Sequence, residues 1–239
     1  MVVPICTKHS YRSGGCDDEL CNGIRVSKIV STVKACEVAC KEENGVQLGA
    51  DKQRIWIGVV EGTIFGKPFA NLYPSQCNHC IDAPCVSVCP TNASHFAQGG
   101  IVKVDAHKCI LCKGCMEACP YDARFVDDTM VAVDKCTFCD HRSLVEGGTT
   151  ACQATCPTKV RTFGDLDDEN SDIVKLLKTK RFFFQKEYTG TLPKLFYILP
   201  DDEAYAKQSV SHNTIIHTWE DIKPMYDEAR TRRSKEWRR

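Results

Sequence analysis

Residues 109–120 run Cys109-Ile110-Leu111-Cys112-Lys113-Gly114-Cys115-Met116-Glu117-Ala118-Cys119-Pro120. The spacing, C-x2-C-x2-C-x3-C-P, limits what the chain can fold into more than any other stretch does. Four thiols and a proline at these intervals wrap a [4Fe–4S] cubane. The first three thiolates share one tight loop and reach three irons of one cubane, while the fourth starts a helix that turns toward a neighbouring cluster. Pro120 has no amide hydrogen to donate, which restricts how the chain leaves the loop. The whole chain holds 17 cysteines in 239 residues. A disulfide scaffold of that density is normally a short secreted chain with an even count. Structural zinc takes four thiolates but does not favour an x2, x2, x3 run closed by proline. Iron–sulfur clusters remain.

Charge is balanced, 31 basic residues against 31 acidic, so composition makes no case for nucleic acid or an acidic surface as partner. No stretch approaches the roughly 18 continuous apolar residues of a membrane span. Met1 to Ile5 is too short for a signal-peptide core, and the Arg232-Arg233 pair lies at the wrong end for a twin-arginine signal. The expectation is a chain soluble by itself, with any membrane attachment made through a partner.

Three further cysteine groups flank the first. Residues 1–50 hold Cys6, Cys16, Cys21, Cys36 and Cys40; Cys77, Cys80, Cys85 and Cys89 precede Pro90; Cys136, Cys139, Cys152 and Cys156 precede Pro157. An internal repeat joins them: Ile101-Val-Lys-Val-Asp105 leads into Cys109, and Met130-Val-Ala-Val-Asp134 leads into Cys136. Each is a short alternating strand ending just before a cluster loop. The expected fold class is therefore α+β: duplicated two-cluster ferredoxin-like modules with short strands, cluster-binding loops and short helices, plus a C-terminal extension. A strand is expected within Gly23–Val33, a helix over Ala35–Glu43 stopped near Asn44-Gly45, and a strand over Arg54–Val60. Glu61–Tyr73 reads as a connecting loop and Thr162–Asp168 as a turn. Ser171–Thr179 reads as a helix and Leu192–Leu199 as a strand. Residues 201–239 are polar, and the basic end reads as a solvated tail or as an arm lying on a partner.

With these motifs in place the chain resembles the four-cluster ferredoxin-type subunits of the DMSO reductase superfamily of molybdopterin oxidoreductases, in particular the polysulfide, thiosulfate, tetrathionate and arsenate reductase group. The resemblance spans roughly residues 35–200. It rests on Ala35-Cys-Glu-Val-Ala-Cys40, Gln76-Cys77-Asn-His-Cys80, Cys85-Val-Ser-Val-Cys89-Pro90, Cys119-Pro-Tyr-Asp-Ala-Arg-Phe125, Lys135-Cys-Thr-Phe-Cys139, Ala151-Cys-Gln-Ala-Thr-Cys156 and Thr162-Phe-Gly-Asp-Leu166. It implies that each cluster takes three ligands from one group and a fourth from its paired group. Cys77, Cys80, Cys85 and Cys119 would hold one cluster; Cys109, Cys112, Cys115 and Cys89 its neighbour; Cys136, Cys139, Cys152 and Cys40 a third. A fourth would join Cys156 to three cysteines of the first group. There the chain departs from the pattern, with Val30 and Val33 where the family has cysteines. Either that cluster is lost, leaving three, or Cys16 and Cys21 fold back to join Cys36 and replace the missing pair. The count of four groups of four favours replacement.

Four protein thiolates leave no open iron, so the expected chemistry is one-electron transfer and not catalysis in this chain. The resemblance implies a catalytic partner carrying molybdopterin, a membrane-anchor subunit that oxidises quinol, and a substrate that is a sulfur compound or arsenate. It also implies co-export to the outer face of the cytoplasmic membrane, a cytoplasmic complex being the alternative. The alternative function is a free-standing soluble polyferredoxin carrier. The expected division is 1–75 as a first half-module with an atypical cysteine loop, 76–160 as the cluster core, and 161–239 as an extension that contacts a partner. Lys113, Lys135 and His107 are candidates for raising cluster potentials, against a plainer reading as solvated loop residues. His79 and His95 are poor ligand candidates beside groups already complete with cysteine. Four cubanes require about sixteen irons per chain. A C16A/C21A double variant is expected to fall to about twelve or fewer, measured as iron and acid-labile sulfide on anaerobically purified protein. A wild type already at about twelve, unchanged in the variant, means three clusters.

Overall fold

The computed structural model describes residues 22–26, 33–64, 67–145, 148–199 and 214–237. Cys6, Cys16, Cys21 and Val30 lie outside them. After strand β1 (Asn22–Val26) comes helix α1 (Ala35–Asn44). Gly45 closes it in the left-handed conformation (φ 61°) and donates its amide to Lys41 O, as a glycine without a Cβ does at low cost. Strands β2 (Ile55–Ile64) and β3 (Lys67–Gln76) then form an antiparallel ribbon, in register from Ile55 opposite Gln76 to Ile64 opposite Lys67. The loop expected over Glu61–Tyr73 is thus mostly strand. Gly62, Pro68 and Pro74 read as breakers, but a two-stranded ribbon has two free edges, where a missing amide donor is tolerated.

Three small units follow the cysteine loops. Helix α2 (Pro84–Ser87) leads to the hairpin of β4 (Ser94–Ala97) and β5 (Ile101–Val104). Helix α3 (Gly114–Glu117) leads to the hairpin of β6 (Phe125–Asp127) and β7 (Ala132–Asp134). Helices α4 (Asp140–Ser143) and α5 (Ala151–Ala154) lead to β8 (Arg161–Asp165). Thr162–Asp168, expected as a turn, is instead strand through Asp165 and bends only afterwards. The α+β class holds, with helices of one turn alternating with short antiparallel pairs.

Beyond β8, Ser171 caps α6 (Asp172–Thr179) by accepting the Val174 amide at 3.4 Å. Strands β9 (Phe182–Phe183) and β10 (Leu195–Ile198) complete a four-stranded sheet in the order β8-β1-β10-β9, with β1 parallel to β10 and antiparallel to β8. Helix α7 (Trp219–Trp237) buries Trp219, Ile222, Tyr226 and Ala229 against Phe182, Phe184, Phe196 and α6. The C-terminal stretch is therefore not a solvated tail. Three of its basic residues are engaged within the chain: Arg230 pairs with Asp167, and Arg232 and Arg233 reach the two oxygens of Asp82 at 2.6 and 3.2 Å. Phe196 sits at the centre of this second core, fully buried, with Phe182 and Phe184 rings at 5.2 and 5.3 Å. Phe196→Ala is expected to cost about 3–5 kcal/mol in urea unfolding; a loss under about 1 kcal/mol would show that these aromatics are not a core.

Candidate metal centre

Each cysteine group is built the same way. The third cysteine sits in the first turns of a short helix: Cys36 in α1, Cys85 in α2, Cys115 in α3 and Cys152 in α5. Left-handed residues precede it in three of the loops, at Lys34, at Leu111 and Lys113, and at Phe138 and Cys139, while His79 takes the same conformation in the other. Such turns aim successive amides inward and make a nest for an anion. The amides duly point at sulfur: Ser94 N lies 3.3 Å from Cys89 Sγ, Phe138 N 3.3 Å from Cys136 Sγ and His79 N 3.5 Å from Cys77 Sγ. At the first group the Val33-Lys34-Ala35-Cys36 turn repeats Cys112-Lys113-Gly114-Cys115, including the left-handed lysine. Val33 thus stands, exposed, at the position that Cys112 holds in the third group.

The groups come together in pairs. Helix α2 packs against α3, and α1 against α5. In the first pair, Cys80 lies within electrostatic reach of Cys77, Cys85 and Cys119. A small apolar cavity nearby is lined by Cys89, Cys109, Cys112 and Cys115. In the second pair, Cys40 faces Cys139 and Cys152, and Cys136 faces Cys40 and Cys152. Cys36 faces Cys152 and Cys156. The fourteen described cysteines are all free thiols.

Burial pushes the Cys80 and Cys136 thiols well up and that of Cys40 to about 12. Such groups form thiolates only against a strong positive partner. The residues around them match that need. Lys135 is buried, with Nζ on Val102 O and, at 2.7 Å, on Cys136 O. Arg124 and Arg161 are 6% and 2% exposed, and Nε and Nη1 of Arg124 and Nη2 of Arg161 have no partner among the described residues. Buried cations with no carboxylate beside buried thiols are the donor set that an anionic iron–sulfur cluster completes, so the residues fit the group. The side-chain amides of Asn44 and Gln76 add donors, Asn44 Nδ2 at 3.7 and 3.8 Å from Cys40 and Cys139 Sγ, and Gln76 Nε2 at 3.8 Å from Cys136 Sγ. Arg54 braces the first loop from outside, binding Asp134 at 2.7 and 2.9 Å and Asn44 Oδ1 at 2.8 Å.

Sequence reasoning did not single out Arg124, Arg161, Asn44, Gln76 or Lys194. Of its three basic candidates, Lys113 and His107 are exposed, whereas Lys135 is buried among the thiols. His95 turns away from the cysteines, with Nδ1 2.9 Å from Ala93 O. His79 is fully buried, stacked on Phe138 at 3.7 Å, and accepts the Val102 amide on Nδ1 at 3.1 Å. Its proton therefore sits on Nε2. Burial, reinforced by Lys135, Lys194 and Arg124, lowers its pKa well below the usual range and keeps the ring neutral.

Paired thiol loops of this construction define an iron–sulfur protein of the ferredoxin class. Residues 68–166 match a family described as the 4Fe-4S dicluster domain. The sequence is 39% identical over 182 residues to one of the chains of polysulfide reductase from Wolinella succinogenes, covering 76% of this protein and 91% of that one. It is 40% identical over 183 residues to protein NrfC of Escherichia coli (76% and 78% covered). It is 39% identical over 171 residues to a tetrathionate reductase subunit of Salmonella typhimurium (71% and 68% covered). The protein belongs to this family of 4Fe–4S electron-transfer subunits.

Stripping the iron leaves Arg124, Arg161 and Lys135 buried beside neutral thiols. An unpaired buried charge costs ~3–5 kcal/mol, and each kcal/mol is worth about 2–4 °C in a chain of this size. Apoprotein made with an oxidant and chelator is therefore expected to melt on the order of 10 °C or more below the loaded protein. Equal midpoints by calorimetry would show that these cations need no anionic partner.

Proposed function

We propose that the chain relays electrons between a quinol-oxidising membrane subunit and a molybdopterin catalytic subunit that reduces a sulfur compound or arsenate. A [4Fe–4S] cluster supplies one-electron transfer with no bond made to substrate. Cys77, Cys80, Cys85 and Cys119 hold one; Cys109, Cys112, Cys115 and Cys89 the second; Cys136, Cys139, Cys152 and Cys40 the third. Cys36 and Cys156, with Cys16 and Cys21, hold the fourth. Residues 76–160 carry most of the ligands, residues 1–75 supply the remainder, and residues 161–239 stiffen the frame and bear on a partner.

The observation that carries this reading is the pairing of helices α2 with α3 and α1 with α5, which brings every described cysteine group against the group that would complete it. Continuity between the halves supports a wire. The Gln76 amide, next to Cys77, donates toward Cys136 Sγ at 3.8 Å, and His79 stacks on Phe138 across the same junction. The amides, Lys135 and the arginines stabilise added negative charge, which is what a relay needs in order to accept an electron.

None of the described helices is long and apolar enough to cross a membrane. We place the complex at the outer face of the cytoplasmic membrane, anchored by the quinol-oxidising subunit; a cytoplasmic complex is the competing placement. The test is native purification from the producing cell under anaerobic conditions, followed by gel filtration and molybdenum analysis. This chain is expected to elute with a molybdenum-containing partner and to be re-oxidised when polysulfide, thiosulfate, tetrathionate or arsenate is added. Elution as a lone, fully loaded monomer would favour a free polyferredoxin carrier instead.

A further inference from the structure

The two halves share one feature that the cysteine spacing does not require. Arg124 follows Cys119 by five residues, in Cys119-Pro-Tyr-Asp-Ala-Arg124; Arg161 follows Cys156 by five, in Cys156-Pro-Thr-Lys-Val-Arg161. Both are buried at the start of a strand that leaves a cysteine loop, Arg161 as the first residue of β8 and Arg124 just before β6. No carboxylate lies in ion-pair range of either among the described residues. Nη2 of Arg124 donates to Ser94 Oγ at 2.9 Å, and the Ser94 amide reaches Cys89 Sγ at 3.3 Å. The rest of the Arg124 guanidinium, Nε and Nη1, finds no conventional acceptor, and its charge acts on the sulfurs of Cys85, Cys77 and Cys115. Nη1 of Arg161 donates to Gln76 Oε1 at 2.9 Å and lies 3.9 Å from Cys152 Sγ. Its charge acts on Cys36 and Cys156 as well.

Each arginine therefore acts on both clusters of its own pair. In the assignment above, Cys85 belongs to one cluster and Cys115 to the one beside it, and Cys152 belongs to one cluster and Cys36 and Cys156 to the other. We propose that Arg124 and Arg161 are equivalent positioning residues, each a fixed positive charge set between the two clusters of its half, and that each raises the reduction potentials of that pair alone. The inference rests on the cluster assignment made above. The redox step is a single electron passing from reductant to a cluster already anionic with four thiolates, with no bond formed or broken and no proton required. A cation held in a dry site between two such groups favours the added charge on either. It also lessens their mutual repulsion when both are reduced. The placement bears on the atypical first group too: Arg161 keeps its place between Cys152 and the Cys36–Cys156 side although Val33 has replaced a ligand.

The test is an EPR-monitored redox titration of R124Q, R161Q and the double variant, as full chains in their native complex, with iron and sulfide counted on each. R124Q is expected to lower one subset of cluster signals, and R161Q a different subset. Each shift should amount to roughly a tenfold change in the reduced-to-oxidised ratio at fixed potential, about 59 mV for one electron. R124K and R161K, which keep the charge, should return near wild type. Full iron with unmoved potentials overturns the inference and leaves the cluster assignment standing. The same signals moving in both variants also overturns it. A wild type without cluster iron overturns the assignment itself. If the glutamine variants fail to load, lysine variants that load at wild-type potentials support a need for the charge. Lysine variants that fail as well, or load at lowered potentials, count against it.

Discussion

Everything in this chain follows from the need to keep anionic sulfur in a dry interior. A buried thiolate is costly unless a positive charge or several amide hydrogens stand against it. The chain meets that need twice over: left-handed turns direct amides at Cys77, Cys89 and Cys136, and behind them stand Lys135, Arg124 and Arg161. The apolar core around Ile101, Val102 and Phe138 runs on through Phe163 to Leu195 and Tyr197 and packs between the cysteine loops and the sheet.

The repeat explains both the regularity and the exception. Each cysteine group sets a thiol in a short helix, and α2 pairs with α3 and α1 with α5, so that the groups lie against one another. At the first group the left-handed Lys34 and the helix of Cys36 and Cys40 follow the same turn although Val33 stands where the third group has Cys112. That helix is braced by Arg54, which ties Asn44 to Asp134.

The sequence exposed the cysteine groups, their repeat and the α+β class because metal ligation fixes spacing tightly. It also showed Ile101–Val104, α1 and α6, whose periodicity and caps are local. The first half of β2 was legible over Arg54–Val60, but its second half and β3 were hidden because their prolines and glycines carry breaker meaning that a free sheet edge cancels. The α7 packing was hidden because Trp219, Ile222, Tyr226 and Ala229 lie thinly among charges, and their face becomes apolar only against Phe196. Arg124 and Arg161 were legible in principle as a five-residue offset from the closing cysteine. Lys135 stood among the candidates for tuning the clusters, but its burial was not legible, because a lysine beside a cysteine loop gives no local sign of it.

Strand β1 lies between β8 and β10, with Ile24 opposite Phe163 on one side and Leu195 on the other. This strand thus has no sheet partner until most of the polypeptide has left the ribosome. Contacts so far apart in sequence form late. The sheet that spans the two ends is then a clasp: its closure needs the two ends of the chain together, whereas the β4–β5 and β6–β7 hairpins close on neighbouring residues.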